Sequence, residues 1–138
     1  MADTKPRWEW RSFGQRFGAA EAQIAQLAAS EPKDSDELYL LCGSGANVKV
    51  RDALMDIKVL RAVDAHGLEQ WTPVMKAAFP MSAAETVRVL DALGLPAPAS
   101  PRETCSQDEF LAAFVVPGGP VRAVPVRKRR VRYTIGGC

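Results

Sequence analysis

The residues best suited to chemistry in this chain are cations spaced two apart. Lys49 and Arg51 flank Val50, and Lys58 follows Asp56. Arg7, Glu9 and Arg11 alternate with Trp8 and Trp10, and Lys128, Arg130 and Arg132 repeat the spacing near the end. On a strand, side chains alternate with period two, so each set shares one face. The opposite faces are Trp8 and Trp10 with Phe13, then Val48 and Val50, then Ile57 and Val59, then Arg129, Val131, Tyr133 and Ile135. One such strand is a solvated surface. Four of them predict a charged sheet face that could hold a polyanion, because ammonium and guanidinium groups form charge-assisted hydrogen bonds with phosphate oxygens. A divalent cation would need carboxylates as well. These strands place only Glu9 and Asp56 for that purpose.

Charge is unevenly spread. Residues 121–138 hold six of the 18 basic residues (Arg122, Arg127, Lys128, Arg129, Arg130 and Arg132) and none of the 16 acidic ones. The remainder is therefore net acidic. The 138 residues, 47% hydrophobic and 25% charged, suit one domain with its own core. No apolar run approaches the ~20 residues that span a bilayer, and the start shows no signal-peptide core, so a cytoplasmic protein without membrane contact is expected. Cys42, Cys105 and Cys138 are odd in number and widely spaced, which fits neither a disulfide framework nor a zinc site. His66 is the single histidine, a poor basis for a Ser-His-Asp triad.

The elements that must position the cations follow from periodicity and punctuation. Strands are expected at Arg7–Arg11, Glu37–Leu41, Asn47–Asp52, Asp56–Arg61 and from Val121 onward. The aromatics of the first strand should pack against an apolar surface. Ala53–Met55 should turn between two neighbouring strands, bringing Lys49, Arg51 and Lys58 together. Helices are expected over Ala19–Ala29, with Phe17, Ile24, Leu27 and Ala28 on one side, and over Ser82–Leu93. Ser82 with Glu85 reads as a capping box, Val87, Leu90 and Leu93 as the apolar stripe, and Gly94 as the stop. Ser106 to Glu109 should cap a third, short helix ending near Phe114. Leu68–Pro80 reads as irregular, with Trp71, Val74, Met75 and Phe79 as a lid over the core. The fold class is α+β: an antiparallel sheet with two to three helices packed outside.

The strand series resembles the CYTH domain, the triphosphate tunnel metalloenzyme family. That family opens on a Glu-x-Glu-x-Lys strand, followed by a strand with two alternating basic residues, another with a Lys and, after helices, a Lys-x-Arg strand. The matching stretches here are Arg7-Trp8-Glu9-Trp10-Arg11, Lys49-Val50-Arg51, Ile57-Lys58 and Lys128-Arg129-Arg130. Arg7 and Arg11 stand where the signature has its first Glu and its Lys. The resemblance implies a single domain over 1–138 covering the first half of a tunnel-like β-barrel. The missing half would lie in further chain or in a second copy of a homodimer. It also implies that Arg11, Lys49, Arg51, Lys58, Lys128, Arg130 and Arg132 bind a phosphate-containing small molecule. Glu9 would then hold Mg²⁺ or Mn²⁺, and the completed fold would be a triphosphatase-type hydrolase attacking phosphorus with metal-activated water.

Two other classes compete with this. A nucleic-acid-binding module could use the basic C-terminal strand, although no aromatic RNA-binding signature, zinc finger or recognition helix accompanies it. A non-catalytic interaction domain would leave the charged faces solvated.

Overall fold

The computed structural model describes residues 5–137. The chain divides into two compact units. The larger gathers Asp36–Val126 with the described part of Met1–Trp10. The smaller gathers Arg11–Ser35 with the described part of Arg127–Cys138.

The architecture is α+β. Its strands are β1 (Arg7–Glu9), β2 (Lys33–Leu41), β3 (Asn47–Arg51), β4 (Leu54–Val63), β5 (Glu69–Ala78), β6 (Met81–Ser82), β7 (Thr104–Cys105) and β8 (Arg122–Arg130). Its helices are α1 (Ala19–Ile24), α2 (Ala83–Ala92) and α3 (Gln107–Phe114). Six strands form one sheet in the order β1-β5-β4-β3-β2-β8, and β6 pairs with β7 in a second, two-stranded sheet. The larger sheet is open, with β1 and β8 at its ends, so no closed barrel is formed. The registers of β1 with β5, β5 with β4, β4 with β3 and β3 with β2 are all antiparallel.

In the larger unit, hydrophobic alternation puts Leu40, Val48, Val50, Met55 and Ile57 on one sheet face. Met75 and Ala77 of β5 join them. Val89, Leu90 and Leu93 from the α2 region and Phe110 of α3 complete this core. Phe110 is fully buried, with the rings of Phe79 and Phe114 at 6.4 and 5.1 Å. Both helices start on capping boxes. Ser82 Oγ accepts from Glu85 N and Glu85 Oε2 accepts from Ser82 N. Ser106 and Glu109 repeat the arrangement. Gly94, at φ +71°, closes α2: its N–H donates to Asp91 O, and the N–H of Leu95 donates to Leu90 O. The buried stripe of α2 is Thr86, Val89 and Leu90, with Leu93 at its cap; Val87 is only half-buried.

Four expectations are corrected. First, Leu68–Pro80 is not an irregular lid; most of it is β5, an interior strand of the sheet. Proline normally argues against an interior strand because it cannot donate to the ladder. Here Pro73 sits where the register with β4 shifts, opposite Lys58. The extra residue changes the phase of the strand. Trp71 therefore shares the face of Leu60, whereas Met75 and Ala77 face the core. Arg88 Nη2 donates to the carbonyl of Val74 beside the irregularity, at 3.0 Å.

Second, the β3–β4 turn falls at Asp52-Ala53, not at Ala53–Met55. Both residues have positive φ, 52° and 56°. Two left-handed residues match the twist of a tight hairpin, so the turn forms without the Asn-Gly or Asp-Gly pair that usually marks it.

Third, the aromatic face of the first strand is not buried. Trp8, Trp10 and Phe13 are 51%, 67% and 88% exposed. β1 is three residues long and lies at the sheet edge, bonded to β5 alone.

Fourth, in the smaller unit α1 spans six residues instead of reaching Ala29, and buries none of them. Short helices without a packed face are marginal in water. In the same unit β8 ends at Arg130, so Arg132 lies beyond the strand. There the backbone of Arg132 bonds Ser30 in both directions: Arg132 N donates to Ser30 Oγ, and Ser30 N donates to Arg132 O. An isolated bridge joins Ala29 to Tyr133.

Candidate functional site

The antiparallel registers of the larger unit decide which side chains share the face opposite the core. Glu37 pairs with Arg51, Tyr39 with Lys49, Lys49 with Asp56, and Asp56 with Lys76. Asn47 pairs with Lys58, Arg7 with Trp71, and Glu9 with Glu69. Directly opposed residues point to the same side. Lys49, Arg51 and Lys58 therefore share one face, which also carries Glu9 and, directly across from Lys49, Asp56.

The cluster is held by a carboxylate that the spacing of the cations does not reveal. Glu37, on β2, has a fully buried side chain. Lys49 Nζ lies 3.5 Å from its Oε2 and Arg51 Nη1 lies 3.3 Å from its Oε1. The Tyr39 hydroxyl donates to Glu37 Oε2 at 3.0 Å, and Lys49 Nζ sits 5.8 Å from the centre of the Tyr39 ring. A buried carboxylate is tolerable only when it is paired and hydrogen-bonded, and Glu37 is both. The side chains of Lys49 and Arg51 retain 13% and 27% exposure. Both cations therefore share one buried carboxylate, and Asp56 lies directly across the ladder from Lys49.

A second pair lies toward β1. Lys58 Nζ is 3.5 Å from Glu9 Oε1, with side-chain exposures of 28% and 33%. Nearby on β5, Trp71 Nε1 donates to Glu69 Oε2 at 2.8 Å, which gives the buried indole N–H its partner. Trp71 belongs to this polar face and not to a lid over the core.

The carboxylates are arranged for cations of the protein. Glu37 is engaged by Lys49 and Arg51, and Glu9 by Lys58. Among the described residues no three His, Cys, Asp or Glu side chains converge where a metal ion could be held. The donor set does not fit a Mg²⁺ or Mn²⁺ ion held by protein ligands alone.

In the smaller unit, Arg11, Arg130 and Arg132 are exposed and Lys128 is half-buried. Arg129, assigned by alternation to the apolar side of its strand, forms a surface ion pair with Asp34 at 3.5 Å.

Sequence reasoning missed Glu37 and Glu69. The available signal was alternation: Glu37, Tyr39 and Leu41 share one side of β2, and β2 precedes a strand whose corresponding side is Lys49 and Arg51.

No described helix is long and apolar enough to cross a membrane. Comparison with protein-family models, with curated proteins and with solved structures returns no match.

Proposed function

We infer that the polar sheet face of the larger unit binds a phosphate-rich anion, of the triphosphate or polyphosphate class, through Lys49, Arg51 and Lys58. The observation that carries this reading is that three partly sheltered cations from adjacent strands share one face. Their side chains are 13%, 27% and 28% exposed, and each cation has a carboxylate partner within 3.5 Å. Ordering such groups before the ligand arrives lowers the entropy cost of binding. Partial burial also strengthens each charge-assisted bond to phosphate. Glu37 and Glu9 would position these cations in the free protein, and phosphate oxygens would share them in the complex.

The resemblance to the CYTH family supports the same reading. In the larger unit it implies metal contact at Glu9, and in the smaller unit, taken by itself, phosphate contact at Arg11, Lys128, Arg130 and Arg132. A divalent ion would then arrive with the phosphate chain, held by phosphate oxygens and one carboxylate. The test is a thermal-shift titration with tripolyphosphate, with and without Mg²⁺, against a short DNA oligomer. Saturable stabilisation by tripolyphosphate alone is expected, weakened in Arg130→Ala if the family's assignment of that residue holds. Equal response to both ligands, or to neither, would reject the reading.

A second reading rests on the exposure of Arg127, Arg130 and Arg132 in the smaller unit. These groups could meet the backbone of a nucleic acid by charge alone. That reading predicts DNA binding with a steep loss of affinity as salt rises.

A further inference from the structure

In the larger unit, β1 is an end strand of the sheet, bonded to β5 on one side and to no described strand on the other. Along it Arg7 and Trp8 are exposed, Glu9 is half-buried, and Trp10 just beyond is exposed. An open edge presents unpaired backbone N–H and C=O groups, a template for another strand. The Arg7 side chain has no carboxylate partner among the described residues. Glu9 lies directly opposite Glu69. Like charges facing one another across a ladder are destabilising, and Lys58 approaches Glu9 at one oxygen, Oε1. An exposed cation lacking an anion thus stands on the same strand as a carboxylate that faces another carboxylate.

A second copy of this chain fits that edge in one register. In a two-fold antiparallel pair one residue faces its own equivalent, because directly opposed side chains point to the same side. Centring the pair on Arg7 sets two guanidinium groups against each other, and centring it on Glu9 sets two carboxylates. Centring it on Trp8 sets each Arg7 opposite the partner's Glu9, with the two indoles directly opposed.

We propose that β1 is a homodimer interface, at which the β1 strands of two copies pair antiparallel about Trp8. Each Arg7 gains a carboxylate, each Glu9–Glu69 pair gains a cation, and the exposed Trp8 rings cover one another. Aromatic and opposite-charge pairs are the cross-strand contacts that stabilise a ladder. The polar faces of the two copies lie on one side of the joined sheet, so Arg7 of each copy stands beside Glu9 and Lys58 of the other. A three-residue strand is small beside the roughly 1,600 Å² of a standard stable interface, so the dimer is weak and reversible. Self-association is independent of phosphate binding on the sheet face.

The experiment is sedimentation equilibrium of the whole chain. The natural chain should pass from monomer toward dimer between about 10 µM and 1 mM, the range of a weak interface. Arg7→Glu sets acid against acid, and Glu9→Arg sets base against base. Each variant alone should associate at least about tenfold more weakly. Mixed in equal amounts, the two variants regain both opposite-charge pairs, and a heterodimer should form with about the affinity of the natural homodimer. Trp8→Ala keeps the charges and should also weaken association. Thermal melts establish that each variant is folded, and Arg7→Glu with Trp8→Ala decides the matter if Glu9→Arg is not. A natural chain that stays monomeric at about 1 mM, association unchanged in Arg7→Glu or Trp8→Ala, or no heterodimer from the folded pair of variants would each overturn the proposal.

Discussion

Arg51 and Glu37 face one another directly across the β2–β3 ladder, with Arg51 Nη1 3.3 Å from Glu37 Oε1. The Glu37 side chain is fully buried and the Arg51 side chain is about one-quarter exposed. The pair thus joins a sealed carboxylate to a side chain that still reaches solvent. Lys49 repeats the relationship on the other carboxylate oxygen.

Glu37→Gln tests this arrangement. The variant keeps an acceptor for Tyr39 but leaves Lys49 and Arg51 without their shared anion. Removing one member of a partly buried ionic group should cost about 1–3 kcal/mol. Urea unfolding would show this as a lower midpoint with an unchanged slope. A change within about 0.5 kcal/mol, the ordinary range for a surface substitution, would contradict the account.

Ala53→Gly should stabilise the protein. Ala53 holds φ at 56°, a region that costs a side-chain-bearing L-residue roughly 1–2 kcal/mol and glycine almost nothing. Part of that gain is offset by the greater freedom of glycine in the unfolded chain. A net rise of up to about 1 kcal/mol is expected in thermal or chemical unfolding. Destabilisation would mean that the turn is not of this type.

The Glu109 carboxyl is held below its usual pKa, first by the backbone N–H of Ser106, then by the Ser106 side chain and by Arg102. A depressed folded-state pKa contributes stability that is full above the unfolded value, about 4.3, and is lost as pH falls through the folded value. Melting temperatures of the natural chain and of Glu109→Gln should therefore differ at neutral pH and converge in acid. A difference that persists or grows below pH 4 would be inconsistent with this cap.

Burial pushes the Cys105 thiol upward in pKa, reinforced by the negative charge of Glu109 and opposed by Arg102 and by hydrogen bonding with Thr86. At neutral pH it is a protonated, sheltered thiol and a poor nucleophile. Cys42 is only partly buried, with Ser44 Oγ at 3.1 Å. In a Cys138→Ser background, iodoacetamide should modify Cys42 in the folded protein and reach Cys105 only after denaturation. Mass spectrometry of the folded protein showing Cys105 modified as fast as Cys42 would contradict the burial.

Alternation made β3 and β4 legible, because Val48, Val50 and Ile57 leave one orientation for Lys49, Arg51 and Lys58. The two Ser-x-x-Glu boxes likewise marked the starts of α2 and α3, since their reciprocal bonds are local. β5 was not legible. Its irregularity near Pro73 changes the phase partway along, so neither strict alternation nor helical spacing survives over its length. Glu37 was hidden for a different reason. A single carboxylate on a strand acquires meaning only from the residue across the ladder, and register is not a local property. The exposed aromatics of β1 show the converse: alternation told which residues share a side, but not whether anything covers that side.

The most direct test of phosphate binding on the sheet face is calorimetric titration of tripolyphosphate at 0.15 M salt into the natural chain and into Lys58→Met. Lys58 is chosen because its partner Glu9 is itself one-third exposed, so the variant does not strand a buried charge. The account predicts saturable binding to the natural chain. It also predicts about tenfold or greater weakening in the variant, the scale of one charged hydrogen bond. Unchanged affinity in Lys58→Met, or no binding to the natural chain, would contradict it.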